Sequence, residues 1–182
     1  MGNSVKKFRF KITVIGDGRV GKTSLIKKFT LGTFKTDYVE TIGAQFSKYE
    51  KEIHGDNIRL LFWDIAGQRE FDFLRPSFYK ESNAAVIVYS LEQNELGDGS
   101  FRHINDWDNE IKKFCGDIPI VVFANKADLI NENDLNLSKI EKIVREHNFL
   151  GYYITSAKTG QGVYKAFDDI IENVYYSLVE TS

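Results

Sequence analysis

An α/β fold, with one six-stranded, mostly parallel sheet and helices on both of its faces, is the class this sequence predicts. Short apolar runs alternate with longer segments of helical periodicity, the pattern of parallel strands joined by crossover helices. A glycine-rich turn follows the first apolar run and leads straight into a helical pattern. Two later runs are separated only by His54-Gly55-Asp56-Asn57, whose residue types favour a tight hairpin, so one strand of the sheet should run antiparallel.

Taken in order, the strands fall at residues 8–15, 45–54, 57–64, 84–90, 118–124 and 152–155, and the helices at 22–30, 70–80, 101–114, 138–147 and 162–178. In the last helix Val163, Ala166, Phe167, Ile170, Val174 and Leu178 recur at three- and four-residue spacing, which marks a face packed on the sheet. Both prolines, Pro76 and Pro119, sit where elements begin or break. The chain has 182 residues, 42% of them hydrophobic, and no repeat or linker, so a single domain over 1–182 is expected.

Charge and cysteine content exclude several classes. The 24 basic and 26 acidic residues nearly cancel, which gives no reason to expect nucleic acid as a partner. Cys115 is the one cysteine, so no internal disulfide forms, and a reducing, cytoplasmic setting is expected. The longest apolar runs, such as 84–91, fall short of the roughly 20 residues a membrane helix needs. Lys6, Lys7, Arg9 and Lys11 read as a solvated entry to the first strand, with transient contact to anionic lipid heads as the alternative. Gly2 follows Met1 as in an N-myristoylation signal, but Lys6 stands where that signal has Ser or Thr.

Chemistry enters with Gly16-Asp17-Gly18-Arg19-Val20-Gly21-Lys22-Thr23, a full match to the P-loop pattern, followed by Ser24. Its glycines let backbone N–H groups converge on phosphate oxygens, and the helix that begins near Lys22 adds its positive end. Lys22 supplies charge to the outer phosphates, and Thr23 offers a hydroxyl to magnesium. A turn that merely joined strand to helix would not require Lys-Thr after Gly21. Alone, the motif admits ATPases and nucleoside kinases as readily as GTPases.

The base is read elsewhere. Asn125-Lys126-Ala127-Asp128 follows the fifth strand, at the edge where open α/β sheets bind ligands. The Asp128 carboxylate only accepts hydrogen bonds, so it can receive both N1–H and the exocyclic amine of guanine, a donor pair that adenine lacks. Lys126 would lie along the ring, and Ser156-Ala157-Lys158 would close over the base from the other side. A four-residue polar loop that starts a turn could arise by chance; its order after the P-loop is what carries weight.

Trp63-Asp64-Ile65-Ala66-Gly67-Gln68 ends the third strand. Asp64 can sit opposite the P-loop and hold magnesium through a water, and Thr41, in the polar loop 33–43, has a hydroxyl that would complete the coordination only when GTP is bound. Gly67 lets its N–H approach the γ-phosphate, and Gln68 would orient the attacking water. Lys22, Thr41, Gly67 and Gln68 thus form the expected catalytic set, with slow turnover unless a partner assists.

These motifs resemble the Ras superfamily of small GTPases, across essentially residues 8–178. The resemblance implies strand order 2-3-1-4-5-6, Phe34 beside the base, Tyr38 over the phosphates and Thr41 as the switch threonine. It also implies a monomer that alternates between GTP and GDP and meets an activating protein, an exchange factor and effectors through residues 33–46 and 65–79. Thr41-Ile42-Gly43-Ala44-Gln45-Phe46 and the run from Trp63 are most similar to the Rab group, whose aromatic effector triad maps to Phe46, Trp63 and Tyr79, although aromatics in strands are more often packing. Three features depart from that group: Gln68-Arg69-Glu70, a longer loop at 92–99, and a tail without a cysteine for prenylation, which leaves a stable membrane anchor unsupported. A GTP-binding scaffold without catalysis would need none of Thr41, Gly67 or Gln68, and a P-loop phosphotransferase would need an acceptor pocket and lid.

Overall fold

The central strands are apolar on both sides, and the period-two alternation of their side chains divides the core between two faces. The computed structural model describes residues 5–35, 40–67, 69–131, 135 and 137–180. Among these the strands are β1 (Lys7–Ile15), β2 (Ala44–Ile53), β3 (Asp56–Ile65), β4 (Ala84–Ser90), β5 (Ile120–Asn125) and β6 (Gly151–Ile154). The helices are α1 (Lys22–Leu31), α2 (Arg75–Tyr79), α3 (Glu95–Arg102), α4 (Ile104–Cys115), α5 (Ser138–Glu146) and α6 (Val163–Val179). Sheet order is β2-β3-β1-β4-β5-β6, with β2 and β3 antiparallel and the other pairs parallel. The hairpin turn is only His54-Gly55, both at positive φ (51° and 85°), which suits the right-handed twist of the strands it joins.

On one face Phe10, Ile12, Val14, Leu60 and Phe62 pack with Leu25 and Phe29 of α1 and with Phe167 and Ile170 of α6. On the other, Ile15, Ile87 and Val122 pack with Ile104, Trp107 and Ile111 of α4. The α6 stripe is buried as its spacing predicts, except Leu178, which is exposed at the helix end. No helix among the described residues is long and apolar enough to cross a membrane.

One predicted helix and one predicted loop differ. The segment 70–80 is not one helix but a 3-10 turn at Arg69–Phe71 followed by the short α2. Pro76 has no N–H to donate back and occupies the first turn of α2, so a helix cannot run through it from residue 70. The expected loop at 92–99 is largely helix: Asn94 caps α3, accepting from Gly97 N at 3.1 Å, and α3 and α4 meet at His103. Gly97 and Gly99 disguise this helix, since glycine disfavours a helix interior.

Candidate functional site

At the carboxyl ends of β1 and β5 lies a cavity of about 530 Å³, within the usual range for small-ligand sites. Of the sequence-predicted residues, Gly18, Arg19, Gly21, Lys22, Thr23, Ser24, Phe34, Thr41, Gly67, Asn125, Lys126, Asp128, Ala157 and Lys158 line it. Gly16, Asp17, Val20, Asp64 and Ser156 lie outside that lining. Tyr38 and Gln68 fall outside the described residues.

At one end the loop between β1 and α1 curls tightly. Gly21 has φ +101°, and a Cβ there would fall 2.3 Å from Asn125 Nδ2. A Cβ on Gly67 would fall 2.3 Å from Gly16 O and 2.5 Å from Gly18 N, so glycine alone lets the end of β3 rest on this loop. Lys22 is buried, and its Nζ donates to Gly16 O and Asp17 O, each at 2.7 Å. Burial pushes its pKa down to about 8, against the opposing pull of Asp64 and Asp17. The Asp17 carboxylate turns away from the cavity to α4, where Trp107 Nε1 donates at 2.8 Å and His103 Nδ1 lies at 2.7 Å. Asp17 therefore keeps its side chain out of the cavity.

Beside Lys22 three oxygen-bearing side chains converge. Thr23 Oγ1 donates to Asp64 Oδ2, and Thr41 Oγ1 lies 3.0 Å from Thr23 Oγ1 and 3.4 Å from Asp64 Oδ2. Asp64 Oδ1 is buried without a hydrogen-bond partner. Burial raises the Asp64 pKa, outweighing the Thr23 hydrogen bond and the Lys22 charge. A buried carboxylate with an unspent oxygen beside two hydroxyls is an oxygen-only donor set, which fits a hard divalent cation of the magnesium type.

At the other end Asn125 is a buried strut. Its Nδ2 donates to Val20 O at 2.9 Å, and its Oδ1 accepts from Ala157 N at 3.2 Å, so it ties the glycine-rich loop to the loop after β6. Asp128 Oδ1 accepts from Ser156 Oγ at 2.6 Å, and Lys158 Nζ lies 3.6 Å from Oδ2. The carboxylate is thus aimed from two sides while the residue still lines the cavity.

Phosphate loop, oxygen cluster and fixed carboxylate therefore surround one cavity, and comparison with known proteins agrees. A model of the Ras family matches residues 11–176. The chain belongs to the Ras family. It is 31% identical over 170 residues to Ras-related protein Rab-21 of Bos taurus, covering 93% of this chain and 74% of that one. It is 34% identical to Ras-related protein Rab-32 of Mus musculus (91% and 75% covered) and 35% identical to Ras-related protein Rab-30 of Homo sapiens (90% and 78% covered). This is a Rab-like small GTPase, which binds GTP and GDP and hydrolyses GTP.

Sequence reasoning missed part of the site of this Ras-family chain. Lys27, Leu129 and Ala66 also line the cavity. Lys27 had a usable signal, standing one helical turn beyond Thr23 on α1. Glu92, which pairs with Lys126, had none.

The proposed aromatic triad needs correcting. Phe46 is 60% exposed, and its ring lies 6.0 Å from Trp63, which lies 5.7 Å from Phe78. Tyr79 is instead fully buried and donates from its hydroxyl to Glu110 Oε1 at 2.8 Å. Successive residues of a helix point about 100° apart, so with Tyr79 turned to the core it is Phe78 that reaches Trp63.

Proposed function

We propose that this GTPase reads guanine through Asp128, holds the nucleotide's phosphates on Gly16–Ser24, and switches through Thr41 and Gly67. The observation that supports it is that Lys22, Thr23, Thr41 and Asp128 line one cavity, with Asp64 in contact with both threonines. Asp128 accepts from guanine N1–H and the exocyclic amine, with Ser156 fixing its orientation. Phe34, Lys126, Ala157 and Lys158 border the base and ribose. Lys22 exchanges its contacts with Gly16 O and Asp17 O for the outer phosphates, where its charge stabilises the transferred phosphoryl group.

Thr23, Thr41 and Asp64 would hold magnesium, which would supply charge to neutralise the phosphates. Gln68 orients the water for in-line attack, and Gly67 offers its backbone N–H to the γ-phosphate. Loss of that phosphate removes the contacts of Thr41 and Gly67 and releases the segments that follow. Intrinsic turnover is slow.

Ras-family membership brings regulators and effectors in general. We place the effector surface on Phe46, Trp63 and Phe78, flanked by the exposed Ile42 and Phe73, on a monomer in a cytoplasmic setting that binds no nucleic acid. Nucleotide competition tests the base reading: GTP and GDP should displace a fluorescent guanine nucleotide and ATP should not. Equal displacement by ATP sinks it.

A further inference from the structure

We propose that Glu92 is a positioning residue for the nucleotide, holding Lys126 in place over the base and thereby slowing nucleotide release. This rests on the guanine reading of the cavity. Lys126 lines the cavity and has left-handed backbone (φ +70°), a conformation costly for a residue with a Cβ. Its ammonium is not left to swing from that backbone. Lys126 Nζ donates to Glu92 Oε2, a carboxylate 34 residues away that lies behind the lining, on the connection between β4 and α3.

That connection is built to deliver the carboxylate. Ser90 Oγ donates to Glu92 Oε2 at 2.9 Å, and Glu92 N donates back to Ser90 Oγ at 3.2 Å. Asn94 caps α3 and fixes where the helix starts. A Cβ on Gly97 would fall 1.8 Å from Glu92 O, so only glycine lets the first turn of α3 pack against Glu92. Burial opposes the charge on Glu92, yet the hydrogen bonds from Lys126 and Ser90 together hold its pKa below the usual range. Both partners are about one-fifth exposed, which leaves the pair partly shielded from solvent. Without Glu92, Lys126 gains rotamer freedom that binding must then remove.

The test is dissociation of a fluorescent GDP from the full chain, measured for wild type, Glu92→Gln, Glu92→Asp, Lys126→Met and the double variant Glu92→Gln/Lys126→Met. Glu92→Gln should release GDP roughly three- to tenfold faster, with little change in association rate. Glu92→Asp, which keeps the charge, should fall between Glu92→Gln and wild type. In the Lys126→Met background Glu92→Gln should add nothing, because its effect passes through the ammonium. An unchanged off-rate in Glu92→Gln overturns the proposal, and so does an equal acceleration in both backgrounds, which would mean a general loosening of α3. Should Glu92→Gln fail to fold, Glu92→Asp carries the same comparison. Failure of wild type to bind the guanine nucleotide is a separate result and overturns the guanine reading itself.

Discussion

The two ends of the cavity meet their polar needs in different ways. At the base end the polar groups are braced by the framework: Asn125 bridges Val20 and Ala157, and Ser156 holds Asp128. At the phosphate end the functional groups bond one another, with Asp64 Oδ1 left over. Lys22 bonds the carbonyls of its own loop, and Thr23 and Thr41 bond Asp64. A ligand at the base end slots into an arrangement already made, whereas at the phosphate end it must displace internal contacts. A switch needs that asymmetry, with one end selecting the molecule and the other changing with its charge.

The largest effect should come from the phosphate end. Lys22→Ala removes the only buried ammonium facing Asp64 among the described residues. GDP affinity, read by fluorescence titration, should fall about 10²- to 10³-fold, because charge-assisted contacts in a shielded site are the strong ones. A loss under tenfold would mean that backbone donors alone hold the phosphates, and the contrast between the ends would weaken.

Asp128→Asn probes the fixed end. GDP affinity should fall roughly 10- to 100-fold while affinity for a xanthine nucleotide rises, since the new amide can donate to the xanthine carbonyl. A uniform loss without a change of preference would remove Asp128 from base recognition.

Asn125→Ala separates framework from ligand contact. It leaves Val20 O and Ala157 N without their buried partner and should lower nucleotide-free stability by about 2 kcal/mol in chemical denaturation. A normal midpoint combined with weaker GDP binding would recast Asn125 as a ligand contact instead of a strut.

Legibility in the sequence followed the same division. The loop from Gly16 to Ser24 and the run from Asn125 to Asp128 are contiguous, so their residue types and spacing announced them, and the three- and four-residue spacing from Val163 to Val174 placed the last helix against the sheet. Contacts between distant segments left no such trace. Nothing near Asp17 announced Trp107 and His103, and nothing near Lys126 announced Glu92. Pro76 by itself forbids one helix over 70–80, since it has no N–H to donate back to the preceding turn and so sits at the start of α2. The exchange of Phe78 for Tyr79 turned on one residue of helical phase in a five-residue helix, which pattern alone does not fix when both candidates are aromatic.

The smallest effect, and the one that tests the asymmetry most closely, concerns Thr41. Its hydroxyl reaches Asp64 only at 3.4 Å and shares Thr23 at 3.0 Å, so these contacts are weak or divided. Thr41→Ala should therefore change nucleotide-free stability by under about 1 kcal/mol. If Thr41 joins magnesium only beside a γ-phosphate, its loss should weaken binding of a non-hydrolysable GTP analogue by several-fold and leave GDP binding unchanged. Equal weakening of both nucleotides would make Thr41 an ordinary wall of the cavity, and the phosphate end would then lose its claim to read the γ-phosphate through that residue.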